Sequence, residues 1–204
     1  MARRYDHSQE EIVEMIIQNG HKIIKESGFS NFSTRKIART IGYSVGTLYH
    51  ILRSYDNIIF HINAVTLDEM KNFIKNNIKK TTNLNSQDEV IKYIQSLANL
   101  YIDFASTNYN SWSALFEFRP KENPPEIYTK KTNDLFLIIK DPLSHIMKNP
   151  EEIEDHIKIL WASIHGICAL NFSNKLGDNE INTDNRSSYA KSLASILINN
   201  FIKS

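Results

Sequence analysis

Residues Ser33 to Leu52 read STRKIARTIGYSVGTLYHIL, and this stretch decides the fold. Its spacing predicts two short helices joined by a tight turn. Ser33 is placed to cap the first, whose inward stripe is Ile37, Ala38 and Ile41. Gly42 follows, a residue that tolerates positive φ where the chain must break. Ser44 then stands as N-cap of the second helix, its hydroxyl able to accept from the N–H of Gly46 or Thr47. On that helix Leu48 and Leu52 lie four apart and point inward. Gly46, Tyr49, His50 and Arg53 fall on another face, which carries no acid and no aliphatic. Two helices crossing at a glycine-containing turn of three to four residues form a helix-turn-helix, whose second helix enters the major groove of DNA.

The charge pattern agrees. From Ser27 to Tyr55 there is no Asp or Glu, while Arg35, Lys36, Arg39 and Arg53 are basic. A surface that meets phosphates requires such an acid-free window. The competing reading is an ordinary helical hairpin with a solvated basic face; caps, turn glycine and charge together favour the helix-turn-helix. A formal net charge of +1 over 204 residues does not itself suggest nucleic acid. Its distribution is more useful: residues 1–60 carry 8 Lys and Arg against 6 Asp and Glu, residues 61–204 carry 16 against 17. A modestly basic head on a neutral body fits DNA reading.

The segment from about Gly28 to Ile59 resembles the DNA-binding domain of the tetracycline-repressor (TetR) family of bacterial regulators. Gly28-Phe29 is similar to the family's glycine-aromatic step after helix 1, and Ile37-Ala38 to its Ile-Ala in helix 2. Gly42-Tyr43-Ser44 resembles its turn, and Gly46-Thr47-Leu48-Tyr49 the core of its recognition helix. The resemblance covers about the first quarter of the chain. It implies that Ser33, Thr34, Arg35, Ser44, Val45, Gly46, Thr47, Tyr49 and His50 bind DNA. Thr47, Tyr49 and His50 match positions that hold phosphates; Arg35, Val45 and Gly46 are expected at base edges or the groove floor. Arg35 is the best guanine reader, because a guanidinium can donate to both O6 and N7. Two departures stand out: Ile51-Leu52-Arg53 replaces the usual polar-Phe-Pro step, and Tyr55 stands where the family often has a phosphate-binding Lys. Arg3 and Arg4 are candidates for a basic arm.

Nearly every other segment reads as helix, which predicts an all-α fold of about nine helices. Residues 1–55 form the helix-turn-helix domain in this reading, and residues 56–204 an effector-binding and dimerisation domain. Capping boxes at Ser8–Glu11 and Ser86–Glu89 open helices, Ser54 caps the helix that links head to body, and Asn149-Pro150-Glu151-Glu152 starts another. The linking helix is expected to run to about Lys80. A helix after Pro124-Pro125 should reach about Met147, with a break at Asp141-Pro142. The penultimate helix should run to Lys175 with Gly177 as its stop, then a polar loop 178–187 and a last helix over 188–201. Cys168 is the only cysteine, so there is no intrachain disulfide and no thiolate zinc cluster. No apolar run follows Arg3-Arg4, and the most apolar stretch, 159–172, is too short to span a bilayer. A cytoplasmic, nucleoid-associated protein is the expectation.

The penultimate helix carries Trp161, His165, Cys168 and Phe172 on one face, and Ala162, Gly166 and Ala169 on a neighbouring one. Small residues let another helix approach closely, and a glycine inside a helix costs roughly 1 kcal/mol relative to alanine, so a packing reason is expected. Trp161, His165 and Gly166 resemble the Trp–His–Gly signature of one TetR subgroup, with Trp112 to Phe118 in support. That resemblance implies a homodimer through the last two helices, here Ala162, Gly166, Ala169, Tyr189, Leu193, Ile196 and Leu197. It also implies a pocket for a small effector within the body. Tyr101, Phe104, Trp112, Phe116, Trp161 and His165 are its candidate lining, although aromatics at helical spacing belong to a core by default.

Three functions compete. The first is a ligand-responsive regulator, most simply a repressor of a palindromic site, with no cofactor and no metal. The second is an effector-independent architectural or division-linked factor on the same fold. The third is an enzyme using His165 and Cys168. The third lacks support, because the chain has no phosphate-binding glycine loop and no HExxH.

Overall fold

The computed structural model describes residues 7–79, 84–176 and 185–203. Among them are nine α-helices, one short 3-10 turn at Phe29–Asn31, and no strand. The helices are α1 Gln9–Ser27, α2 Thr34–Ile41, α3 Val45–Leu52, α4 Tyr55–Asn77, α5 Gln87–Thr107, α6 Tyr109–Glu117, α7 Glu126–Leu143, α8 Pro150–Phe172 and α9 Arg186–Lys203. Arg3, Arg4, Gly177 and most of the 178–187 loop lie outside the described residues.

Caps explain most of the boundaries. Ser8 Oγ accepts from Glu11 N at 3.2 Å while Glu11 Oε2 accepts from Ser8 N at 2.6 Å, a closed capping box. Gly28 ends α1 at φ 78°. Ser33 Oγ accepts from Lys36 N, and Gly42 closes α2 in the left-handed region at φ 77°, ψ 21°. Ser86 and Glu89 reproduce the capping box at α5, and Asn149 Oδ1 accepts from Glu151 N ahead of Pro150. Some boundaries differ from the sequence expectation. α4 stops at Asn77, short of Lys80. α7 runs through Pro142 to Leu143 instead of breaking at Asp141-Pro142. There the missing N–H falls in the last turn and forfeits only one hydrogen bond. α8 ends at Phe172, where the Ser173 N–H returns to the Ala169 carbonyl and Asn174 turns to φ 59°.

The chain divides into two compact units: residues up to Asp68 together with Asn108–Lys131, and Glu69–Thr107 together with the residues from Thr132 onward. In the first, Ile12, Ile16 and Ile24 of α1 pack with Ile37, Ala38 and Ile41 of α2, Leu48 and Leu52 of α3, and Ile58, Ile59 and Ile62 of α4. Each fully buried Ile or Leu is worth roughly 1.5–3 kcal/mol. Gly20 stands in mid-helix because a Cβ there would collide with the buried Ile62 side chain. Ala114 and Phe118 join the same core, with Phe118 edge-on to Phe60 at 5.3 Å. The unit therefore reaches beyond residue 55, because the start of α4 and the segment around α6 close the head's own core.

In the second unit α5 packs against α9 and α8, and α8 against α9. α8 buries Ile153, Ile157, Leu160, Ile164, Cys168 and Asn171; α9 buries Ala190, Ala194, Ile198 and Ile202. Lys191 pairs with Asp103 at 2.6 Å, and Gln95 bonds Ser195 at 3.0 Å. Among the described residues no helix is long and apolar enough to cross a membrane.

Candidate nucleic-acid interface

α3 splits by burial as its sequence pattern demands. Leu48 is fully buried, Leu52 nearly so, while Gly46, Tyr49 (37% exposed), His50 and Arg53 face outward. Ser44 Oγ accepts from Thr47 N at 3.0 Å and lies 2.9 Å from Thr47 Oγ1, so the helix start is held by its own side chains. Val45 is half-buried against the head core. On α2, Arg35, Lys36 and Arg39 are exposed, and Ser33 is half-buried at the cap. Thr34 differs from the surface role expected of it. It is only 7% exposed, and its hydroxyl lies 3.4 Å from that of Tyr49, a contact that supports Tyr49 from beneath.

The end of α3 is the unusual feature. Arg53 adopts φ 70°, ψ −50°, and Ser54 N donates to Leu52 O at 2.8 Å, closing a three-residue γ-turn that side-chain-bearing residues rarely adopt. Asn57 Nδ2 donates to the same Leu52 carbonyl at 2.8 Å. Ser54 Oγ accepts from Asn57 N at 3.1 Å, the cap expected for α4. Tyr55 sets its ring edge-on to Phe32 at 6.1 Å. Burial, then the neighbouring Tyr49 and Asp56, push the Tyr55 phenol above its ordinary value, so it stays neutral at physiological pH.

Residues far along the chain complete this corner. The buried Asp56 accepts through Oδ2 from Lys121 N at 2.5 Å and Glu122 N at 3.0 Å. Ser54 Oγ donates to Glu122 Oε2 at 2.6 Å. No local pattern announces a contact between positions so far apart in the chain, so the sequence left Glu122 unmarked.

The candidate effector residues divide between the units. Trp112 and Phe116 belong to the first, with ring centroids 5.5 Å apart. Tyr101, Phe104, Trp161 and His165 belong to the second. There the Tyr101 hydroxyl lies 3.1 Å from His165 Nδ1, Trp161 stacks on His165 at 5.8 Å, and Phe136 meets Trp161 edge-on at 5.8 Å. Burial holds the His165 imidazole below its ordinary value and pushes the Cys168 thiol up to about 12, so Cys168 offers no thiolate at neutral pH. Among the described residues, no three His, Cys, Asp or Glu side chains gather as a metal site would require.

Of the residues expected at a dimer interface, Ala162 and Ile196 (59% exposed) are open, while Gly166, Ala169, Tyr189, Leu193 and Leu197 are half-buried. Ile159 and Leu170 extend the exposed apolar row on α8.

This geometry, a helix-turn-helix head followed by a helical body, agrees with comparisons to known proteins. Residues 16–56 match the model of the family described as bacterial regulatory proteins, tetR family. No curated protein matches the chain. Solved structures do. A protein of unknown function from Rhodococcus sp. RHA1 is 12% identical with a TM-score of 0.65, over 96% of this chain and 98% of that one. A TetR family transcriptional regulator from Thermus thermophilus is 13% identical, TM-score 0.54, over 90% and 96%. A TetR transcriptional regulator from Rhodococcus sp. RHA1 is 16% identical, TM-score 0.52, over 94% and 97%. At such identities the likeness speaks for the fold, and the match at residues 16–56 for the head. Residues 16–56 thus carry the likeness to the tetR family, and the rest of the chain shares the fold of the solved structures.

Proposed function

We propose that the protein is a DNA-binding transcriptional regulator, a repressor that holds a palindromic operator as a homodimer and is released by a small, mostly apolar effector. The observation that carries the reading is the division of α3: Leu48 and Leu52 locked into the head core, Gly46, Tyr49, His50 and Arg53 outward. In this reading Thr47, Tyr49 and His50 hold phosphates, Ser33 and Ser44 fix the two helix starts, and Thr34 supports Tyr49. Arg35, Val45 and Gly46 approach the bases, and Arg3 and Arg4 add a basic arm. The protein works in the cytoplasm on the nucleoid. Trp161, His165 and Gly166 support membership of the Trp–His–Gly subgroup.

Homodimerisation is supported by the exposed apolar row on α8 and by Ile196 on α9. Effector binding is supported by the cluster of Tyr101, Trp161, His165 and Phe136, which offers aromatic faces beside two polar atoms. One observation favours the effector-independent alternative: Phe104 and Trp112 are each 2% exposed and serve as core.

The test uses sites selected from random DNA by the wild-type protein. Arg35→Ala should lose about 1–3 kcal/mol of discrimination at a guanine position. Equal losses on every sequence would remove its reading role. Compounds that stabilise the protein yet never alter DNA binding would decide for the effector-independent reading.

A further inference from the structure

We infer that Glu122 is an intramolecular counter-charge that weakens the grip of the head on DNA. The inference rests on the DNA-binding reading above. The sequence keeps Ser27 to Tyr55 free of acids, as a phosphate-facing surface requires. The fold breaches that window. It brings the exposed Glu122 carboxylate to 2.6 Å from Ser54 Oγ, next to Arg53 at the end of α3. Asp56 fixes the loop backbone that carries it, through the N–H groups of Lys121 and Glu122. The loop is thus held by contacts that do not depend on the Glu122 charge, and the Ser54 hydroxyl orients the carboxylate. A phosphate drawn towards Arg53 or the outer face of α3 meets a fixed negative charge within a Debye length, which is about 8–10 Å at ordinary ionic strength. The repulsion acts on the phosphate backbone and carries no sequence information.

Glu122→Gln tests this cleanly. The amide can still accept from Ser54, and the Asp56 contacts to the backbone are untouched, so the loop keeps its place while the charge goes. Equilibrium binding of the full chain is measured on a selected duplex and on a mixed-sequence duplex, at about 50 mM and about 500 mM salt. Glu122→Gln should bind both duplexes about 3- to 10-fold more tightly at low salt, and the gain should shrink to less than about twofold at high salt. Glu122→Ala should behave alike, with thermal melting to establish that each variant is folded. Glu154→Gln makes the same change of net charge on α8 and should shift affinity by less than about twofold. Folded Glu122 variants that bind as the wild type does, or more weakly, overturn the inference. So does a gain that ignores salt or matches that of Glu154→Gln. A wild-type protein that binds neither duplex overturns the DNA-binding reading instead, and the two failures are distinct.

Discussion

His165 shows how one side chain's surroundings set a measurable property. Burial against Tyr101 and Trp161 holds its imidazole below the ordinary value. The folded state therefore resists a proton that the unfolded chain accepts near pH 6.5. Above that pH both states are neutral and the residue costs nothing; as pH falls below it, the unfolded state binds more protons and stability declines. His165→Gln keeps a hydrogen-bonding group towards Tyr101 and cannot titrate. Its melting temperature should fall less between about pH 7 and about pH 5 than that of the wild type; parallel curves would show that His165 is not the cause. At this scale the sequence was a mixed guide. Helical spacing alone assigned Leu48 and Leu52 inward and Tyr49 and His50 outward, because a period of about 3.6 residues leaves little choice. Thr34 and Glu122 were illegible: the burial of one and the position of the other depend on which helices meet, and spacing within one helix does not encode that.

Helices were legible where a cap is written into the sequence. Ser8, Ser33, Ser44, Ser54, Ser86 and Asn149 each make the contact their position announces. Ends set by geometry were less so, as at α7, which tolerates Pro142, and α8, which stops at Phe172. Gly166 carries the prediction that belongs here. It sits inside α8 at a cost of roughly 1 kcal/mol relative to alanine, and among the described residues no atom beyond its own stretch of helix lies within 4 Å of where its Cβ would be. The described residues supply no packing reason for the glycine, and a close helix from a second copy would supply one. Gly166→Leu should keep the helicity of the wild type while sedimentation at micromolar concentration shifts from dimer to monomer and melting falls with the lost association. A Leu variant that sediments as the wild-type dimer would move the interface elsewhere.

At the scale of the whole molecule, the helix-turn-helix could be read from residues 33–52, because caps, turn glycine and charge agree there, and the all-helical class from the helical patterning of the other segments. The extent of the first unit could not. Asn108–Lys131 lies far along the chain from the head helices, yet Ala114, Phe118 and the loop held by Asp56 complete that unit. α4 and α7 each continue from one unit into the other, at Asp68 and at Lys131. With the Thr107–Asn108 link between α5 and α6, a ligand that favours one arrangement of the second unit has three covalent routes to the first, and a differential affinity worth about 1–3 kcal/mol would change DNA binding roughly 5–150-fold. In the proposed function two copies of this head read DNA together, and selection of binding sites from random duplex DNA by the full chain puts this to the test. Two inverted half-sites should be enriched, their centres about one helical turn, ~34–36 Å, or a multiple of it apart. Enrichment of a single unrepeated half-site, or of no sequence at all, would contradict it.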